Sequence, residues 1–308
     1  MDIAITLCVN VYCVVSDRMS GDEMNPAAVA QAVVDVQGDD RWMSQHTRFV
    51  LECKDAEPEV LFIGDSMVQL MQQYEVREHG HLCVLLCLLC CWVRHPKSPA
   101  ADPRTIVTRG RECTDVPYKR AISVDHASCQ FNLHFKVWRE LFSPLHALNF
   151  GIGGDTTCNV LWRLQNGELD NIWPKVAVVW VGTNNYEHSA EQVAGGIFAI
   201  AQLLTSRLPK TKVVVLGLLA RGERPNPLRE KNAAVNGLLR SLLPQLGQAQ
   251  FLDVGEGFVH SDGTISTRDM FDFLHLTSAG YRAIAKPLSD LLLQILEETP
   301  EERRASLV

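Results

Sequence analysis

The amino-acid sequence predicts an α/β fold in which one five-stranded parallel sheet lies between two layers of helices. Short apolar runs alternate with longer segments that carry apolar residues at helical spacing, and this alternation is typical of such a fold. Gly-rich or polar turns follow the first three runs. We expect strands at 60–63, 147–150, 175–181, 212–216 and 250–253, and helices at 67–74, 157–169, 190–207, 228–243 and 277–297.

The first strand, 60–63, is β-branched and aromatic and follows Pro58. Gly64 allows a tight turn, after which Ser66 lies at the start of a helix. The Ser66 Oγ is therefore expected at the carboxyl edge of the sheet, where open α/β folds keep their sites and helix N–H groups favour negative charge. The alternative is that Ser66 is a helix N-cap. The spacing also differs from the G-x-S-x-G nucleophile elbow.

The second and third strands each end in a motif that suits a binding site. Residues 149–157 read Asn-Phe-Gly-Ile-Gly-Gly-Asp-Thr-Thr. These glycines let backbone N–H groups approach a ligand closely, although the spacing is not the G-x-G-x-x-G of a dinucleotide loop. The strand 175–181 lacks alternation, as expected when both faces are buried, and Gly-Thr-Asn-Asn follows its end. The Asn184 amide can donate to an oxyanion, or Asn184 is a turn or cap residue.

A late pair, Asp272 and His275, supplies a carboxylate and an imidazole. At this spacing the two side chains can share one face of a helical turn, so that the carboxylate orients the imidazole. The alternative is that either residue belongs to a surface loop. Together with Ser66, however, the pair supplies the residue types of a serine hydrolase.

In this order the four motifs resemble the sequence blocks of the SGNH (GDSL-type) hydrolases. The connecting sequence resembles one subfamily closely, the catalytic α subunits of intracellular platelet-activating factor acetylhydrolase, nearest the α2 type. The resemblance covers 19–75 and 137–302, which we expect to form a single hydrolase domain. The segments that carry it outside the four motifs are 35–39, 41–44, 138–145, 225–229 and 258–263.

The resemblance implies a flavodoxin-like three-layer α/β/α fold with strand order 2-1-3-4-5. It implies that Ser66 is the nucleophile, that His275 is the general base and then the general acid, and that Asp272 holds the imidazole tautomer. An oxyanion hole would use the N–H groups of Ser66 and Gly154 and the side-chain amide of Asn184.

The resemblance also implies a substrate and partners. Met67, Thr183 and Leu274 would close an acyl pocket that admits acetyl but not long chains. The implied reaction is hydrolysis of the sn-2 acetyl ester of platelet-activating factor and related short-acyl phospholipids through an acetyl-enzyme, without a cofactor or metal. Implied partners are a second copy or a paralogous α subunit in a dimer, and the WD40-repeat lissencephaly regulatory protein.

Two other functions stay open on the sequence. Related hydrolases remove acetyl groups from sugars, so an acetyl esterase that acts on sugars or other small esters is one alternative. The other is a catalytically impaired isoform that serves only as an interaction subunit.

Composition narrows the class of protein. The chain of 308 residues is 46% hydrophobic and 21% charged, as is ordinary for a globular protein, and its formal charge of -7 gives no reason to expect nucleic-acid binding. Of its 10 cysteines, only Cys53 and Cys158 lie in the family-like ranges, which fits a reducing cytoplasm. We therefore expect a cytoplasmic protein without a transmembrane segment.

Three segments depart from the family pattern. Residues 1–18 are an atypical N-terminal extension, and 303–308 are a tail. Residues 76–136 are an insert that we expect to be irregular or disordered and interpret as translated intron or a mispredicted exon. The insert contains the apolar run 82–93, which is shorter than the about 20 residues that a membrane-spanning helix needs. A zinc site built from its cysteines and histidines is a further alternative, although their spacing is not that of a usual zinc finger.

Overall fold

The computed structural model describes residues 24–72 and 137–298 and contains a five-stranded parallel sheet with helices on both faces. The strand order is β2-β1-β3-β4-β5, so the predicted fold class and order are confirmed. The strands are β1 (Val60–Gly64), β2 (Ala147–Gly151), β3 (Val176–Trp180), β4 (Lys212–Leu216) and β5 (Ala249–Leu252). The helices used below are α1 (Arg41–Asp55), α2 (Ser66–Gln72), α3 (Thr157–Gln165), α4 (Ala190–Arg207), α5 (Pro227–Leu242) and α6 (Ser278–Glu297).

Two helical features differ from the sequence expectation. Helix α1 was not predicted, and it buries His46, Phe49 and Cys53 along one side while the rest of its surface is mostly polar. Helix α3 stops at Gln165 rather than at 169, because Gly167 has a φ of 111°, which a right-handed helix does not accommodate. The expected end of α2 at 74 lies outside the described residues.

Both faces of the sheet are covered, as the continuous apolar strands indicated. Leu61 and Ile63 of β1 belong to a core that includes residues of α1, α3, α4 and α5. The alternate residues Val60 and Phe62 belong to a second core with α2, the helical residues 137–141 and α6. Because successive side chains of a strand point to opposite faces, one sheet contributes to two separate hydrophobic cores.

The carboxyl ends of three strands meet at one edge of the sheet. Gly64 pairs with Gly151 of β2 on one side and with Trp180 of β3 on the other. A Cβ on Gly64 would lie 2.1 Å from the Trp180 carbonyl oxygen, and a Cβ on Gly151 would lie 2.3 Å from the Gln69 nitrogen. Glycine at these two positions therefore lets α2 start directly against the neighbouring strand ends.

The N-terminal extension, the tail and the insert 76–136, including its apolar run and the alternative zinc site, lie outside the described residues. Within 24–72 and 137–298, none of the helices combines the length and apolar character needed to cross a membrane. The same two ranges contain no group of three or more His, Cys, Asp or Glu placed to hold a metal ion.

Candidate active site

Ser66 is the first residue of α2, directly after the turn that follows β1. The cap of this helix is Asp65, whose Oδ1 accepts a hydrogen bond from the Met67 N–H at 2.8 Å and whose carbonyl accepts one from Gln69 at 2.9 Å. The alternative that Ser66 caps the helix is therefore wrong. The Ser66 hydroxyl instead contacts His275, with its Oγ 2.9 Å from the imidazole Nε2.

Asp272 orients the His275 ring. Its Oδ2 lies 2.8 Å from Nδ1 of the imidazole, and its Oδ1 accepts from the backbone N–H of Leu274 at 3.1 Å and of His275 at 2.7 Å. Because Nδ1–H donates to the carboxylate, the Nε2 lone pair faces the Ser66 hydroxyl. Burial acts to raise the pKa of Asp272, but the hydrogen bonds and charge of His275 outweigh it and hold that pKa below its ordinary value.

The segment that carries this pair is a tight loop and not the expected helical turn. Phe273 has a φ of 62°, in the left-handed region, so the chain cannot continue as a right-handed helix. An antiparallel bridge between Met270 and Leu276 closes the loop. The expected helical geometry was wrong, whereas Asp272 and His275 do lie side by side.

Phe271 covers one face of the His275 imidazole. The two ring centroids lie 5.8 Å apart with the planes inclined by 19°, and the phenylalanine is 50% exposed. No sequence signal distinguished Phe271 from other aromatic residues, because its contact depends on the loop conformation. It gives the site an apolar rim next to the imidazole.

The glycine turn after β2 lies beside the serine. A Cβ on Gly153 would be 3.7 Å from the Ser66 Cβ, and Gly154 has a φ of 89°. The Asn184 Nδ2 donates to the Asp155 carbonyl at 3.0 Å, which places this amide next to the same turn. An amide nitrogen carries two N–H groups, so the second can donate to a ligand. Among the described residues, the structure records no acceptor for the backbone N–H of Ser66 or Gly154.

A small pocket opens beside these groups. Its cavity volume is about 10 Å³, near the least that one water molecule requires. The three residues expected to close an acyl pocket, Met67, Thr183 and Leu274, all line it. The sequence had not indicated its other lining residues, which are Asp65, Trp180, Leu218 and Leu219.

A buried arginine holds the strand ends beneath the site. Arg163 is fully buried and its Nε donates to Asp155 Oδ2 at 2.8 Å. Nη1 donates to Glu168, and Nη2 donates to the carbonyls of Gly64 at 3.3 Å and Phe150 at 3.1 Å. One guanidinium thereby links the turn after β1, the end of β2 and the glycine turn. The motifs contained no sign of this role.

Helix α1 completes the hydrogen bonding of the two buried carboxylates. Trp42 Nε1 donates to Asp155 Oδ1 at 2.7 Å, and His46 Nδ1 lies 2.8 Å from Glu168 Oε1. Buried charges are tolerated when they are paired and hydrogen-bonded. The helix that the sequence did not predict therefore supports the floor of the site.

A model of the GDSL-like Lipase/Acylhydrolase family matches residues 133–283. This range contains Gly154, Asn184, Asp272 and His275 but begins after Ser66. The similarity of the serine block comes from longer matches to individual proteins.

Curated relatives match nearly the whole chain. The platelet-activating factor acetylhydrolase IB subunit alpha2 of Homo sapiens is 55% identical over 289 residues, which are 94% of this chain and 100% of the relative. The alpha2 subunit of Gallus gallus shows the same identity and coverage. The alpha1 subunit of Bos taurus is 50% identical over 289 residues, which are 94% of this chain and 98% of the relative.

Solved structures share the fold at low sequence identity. A candidate platelet activating factor protein of Streptococcus pneumoniae has a TM-score of 0.52 and 20% identity, over 81% of this chain and 92% of its own. A candidate acylhydrolase of Bacteroides fragilis has a TM-score of 0.52 and 16% identity, over 82% of this chain and 97% of its own. Such identities support the fold alone. With relatives at least half identical over more than nine-tenths of the chain, this protein belongs to the platelet-activating factor acetylhydrolase IB alpha-subunit family of GDSL-like hydrolases.

Proposed function

We propose that this chain is a serine esterase that hydrolyses the sn-2 acetyl ester of platelet-activating factor and of related short-acyl phospholipids. The observation that carries the proposal is the hydrogen-bonded series Ser66–His275–Asp272, with distances of 2.9 and 2.8 Å. It lies in a chain that is 55% identical to relatives named platelet-activating factor acetylhydrolase.

In the first half-reaction, the Ser66 Oγ attacks the acetyl carbonyl carbon while His275 Nε2 takes the hydroxyl proton. Asp272 stays ionised and stabilises the imidazolium that forms. The tetrahedral intermediate collapses, the bond to the sn-2 oxygen breaks, and His275 delivers its proton to that oxygen. In the second half-reaction, water attacks the acetyl-enzyme with the same base, and acetate leaves while Ser66 regains its proton.

The negative oxygen of each intermediate would be held by the N–H groups of Ser66 and Gly154 and by the Asn184 amide. These three donors come from the starts of three different segments at the carboxyl edge of the sheet. Donors that are oriented before the reaction stabilise developing charge without further rearrangement, and removal of one typically costs about 10²–10³-fold in rate.

The pocket between Met67, Thr183 and Leu274 would receive the acyl group. Its small volume disfavours a long acyl chain. Apart from Asp65, the lining residues are apolar or aromatic or carry a short hydroxyl, as suits an acyl group.

The assembly is also part of the proposal. The family-like ranges 19–75 and 137–302 would form one cytoplasmic hydrolase domain interrupted by 76–136. The relatives are named as alpha1 and alpha2 subunits, which supports a dimer with a second copy or with a paralogous subunit. The WD40-repeat lissencephaly protein would be the regulatory partner.

A fluorophosphonate probe tests the reactive serine in the 308-residue protein. The comparison includes Ser66→Ala and a version that lacks 76–136. We expect labelling that requires Ser66 and is matched by the deletion version, followed by release of acetate from platelet-activating factor. Labelling of the deletion version alone would mean that the full chain is the impaired isoform. Faster hydrolysis of acetylated sugars than of the phospholipid would overturn the proposed substrate.

A further inference from the structure

We propose that Arg221 is a positioning residue that sets the acyl-chain limit of this site by fixing Thr183 in the pocket wall. The inference rests on the proposed esterase activity, and it concerns a residue outside the Ser66, Asp272 and His275 series. Arg221 lies on the segment after β4 and does not itself line the pocket.

Arg221 holds Thr183 at two points. Its Nη1 donates to the Thr183 carbonyl at 2.9 Å and to the Thr183 Oγ1 at 3.0 Å. Its Nη2 donates to the Tyr186 hydroxyl at 3.1 Å, and the guanidinium carbon lies 5.1 Å from the centre of the Tyr186 ring. A planar guanidinium can make these contacts at once, whereas a lysine ammonium is a single point of charge on a flexible stem.

Thr183 needs such support because it has left the sheet. Strand β3 ends at Trp180, so the sheet hydrogen bonds stop before Thr183. The intervening Gly182 has a φ of 129°, a conformation that glycine adopts readily, and glycine also permits other conformations. Beyond the strand, Thr183 is held by its contacts with Arg221 and by the turn that the Asn185 N–H closes on the Gly182 carbonyl at 3.1 Å.

The backbone around Arg221 is itself held by hydrogen bonds. The carbonyl of Arg221 accepts from Asn226 Nδ2 at 2.7 Å and from Arg229 Nε at 3.2 Å. The next residue, Gly222, donates its N–H to the Phe273 carbonyl at 2.7 Å, in the loop that carries His275. The segment after β4 thus joins the pocket wall at Thr183 to the loop with the proposed base.

These contacts connect Arg221 to the size of the acyl group. Thr183 and Leu274 line the same small pocket, so a displaced Thr183 enlarges the space for the acyl chain. One methylene group in a well-packed pocket changes selectivity by about 10–200-fold. Loss of the Arg221 contacts should therefore raise the rates for longer acyl groups relative to acetyl.

The test measures kcat/KM of the full protein for p-nitrophenyl acetate, propionate and butyrate. Its variants are Arg221→Ala, Arg221→Lys and Tyr186→Phe, and the matched control is Arg224→Ala, which removes an exposed arginine of the same segment. For Arg221→Ala we expect the acetate-to-butyrate ratio to fall about tenfold. Smaller changes in the same direction are expected for Arg221→Lys and Tyr186→Phe, and an unchanged ratio for Arg224→Ala.

A ratio unchanged in all three site variants while activity persists would overturn the inference. If Arg221→Ala does not fold, the ratios of Arg221→Lys and Tyr186→Phe decide the question. Thr183→Val adds an independent check, because it removes the hydroxyl acceptor but keeps the side-chain shape. Its effect should not add to that of Arg221→Ala if both act through one contact. Failure of the parent protein to hydrolyse platelet-activating factor, with the ester ratios shifting as expected, would count against the proposed substrate alone.

Discussion

The phenol hydroxyl of Tyr281 donates a hydrogen bond to the backbone carbonyl of Met67 at 2.8 Å and so joins α6 to the residue after Ser66. The phenol is buried, and burial, with Asp65 and Asp272 nearby, raises its pKa well above the ordinary value. Tyr281 therefore remains a neutral donor at neutral pH. Helix α6 thereby holds the first turn of α2, which carries the proposed nucleophile.

Removal of this hydroxyl should destabilise the fold. In Tyr281→Phe the buried Met67 carbonyl loses a partner, and we expect a decrease of about 1–3 kcal/mol in the free energy of unfolding. Urea denaturation measures the change. Tyr186→Phe is the control, since Tyr186 is 45% exposed and loss of its hydroxyl leaves no buried group without a partner. Equal losses in the two variants would contradict the role assigned to Tyr281.

Asp65 should make stability depend on pH. Burial raises the pKa of Asp65 to about 7, against the Met67 N–H and the charges of His275 and Arg221, which lower it. The ordinary value is 3.8, so between pH values of about 4 and 7 the folded state holds a proton that the unfolded chain has released. The contribution of this group to stability is therefore present at low pH and is lost as the pH rises through this window.

Asp65→Asn tests that dependence, because asparagine keeps an oxygen for the Met67 N–H but does not ionise. The stability of the variant relative to the parent should increase from pH 4 to pH 7 and then level off. Urea denaturation at several pH values gives this difference, with the exposed Glu187→Gln as control. Parallel curves for parent and Asp65→Asn would rule out Asp65 as the titrating group.

Asp272→Asn should reduce turnover far more than it reduces stability. The amide no longer enforces the Nδ1–H tautomer, and the corresponding change in serine proteases lowers kcat by about 10⁴-fold. Steady-state hydrolysis of an acetyl ester measures the effect. Asp290→Asn, on the exposed side of α6, is the matched control and should retain full activity. A loss of less than tenfold for Asp272→Asn would argue against its role.

Asn184→Ala should lower kcat with little change in KM. The amide would act only on the charge that develops in the transition state, so we expect a loss of about 10²–10³-fold in kcat. Full kinetics on an acetyl ester separate the two constants. Asn166→Ala, at an exposed helix end, serves as control. A rise in KM at constant kcat would indicate ground-state binding in place of oxyanion stabilisation.

Arg163→Met should be among the most destabilising substitutions in the described parts of the chain. It leaves the buried carboxylates of Asp155 and Glu168 without their main cation, and loss of one partner of a buried pair costs about 3–5 kcal/mol. Thermal or urea unfolding measures this loss. Arg207→Met removes an exposed arginine 4.0 Å from Asp170 and should change stability by less than about 1 kcal/mol. Similar effects would mean that the buried network does not support the fold.

Periodicity and turn residues were enough to predict the sheet. The bounds of Lys212–Leu216 and Ala190–Arg207 agree with the expected elements, because their apolar pattern and flanking residues all favour one structure. Helix α1 was not predicted from the sequence, because it buries few residues and the rest of its surface is mostly polar. It is stabilised by contacts with Asp155 and Glu168, which are distant in the sequence. Local pattern contains no information about such contacts.

In the candidate site, too, some residues could be predicted from local motifs and others could not. The motifs supplied Ser66, Asp272 and His275, and the fold brings them into contact. The loop around Phe273 was missed, since its positive φ belongs to a residue type that rarely adopts it. Arg163 and Arg221 were missed because some of their partners are backbone carbonyls, which have no sequence signature, and because the fold alone decides which side chains they meet.

The contact between Ser66 and His275 joins residues 209 positions apart. Strands β2 to β5 lie between them, so the proposed nucleophile leaves the ribosome long before its proposed base has been translated. We therefore expect Ser66 to become reactive only after His275 has been synthesised and the two residues have folded into contact. Closure of such distant contacts is intrinsically slow. Serine labelling during synthesis would therefore report the moment at which the last helix docks.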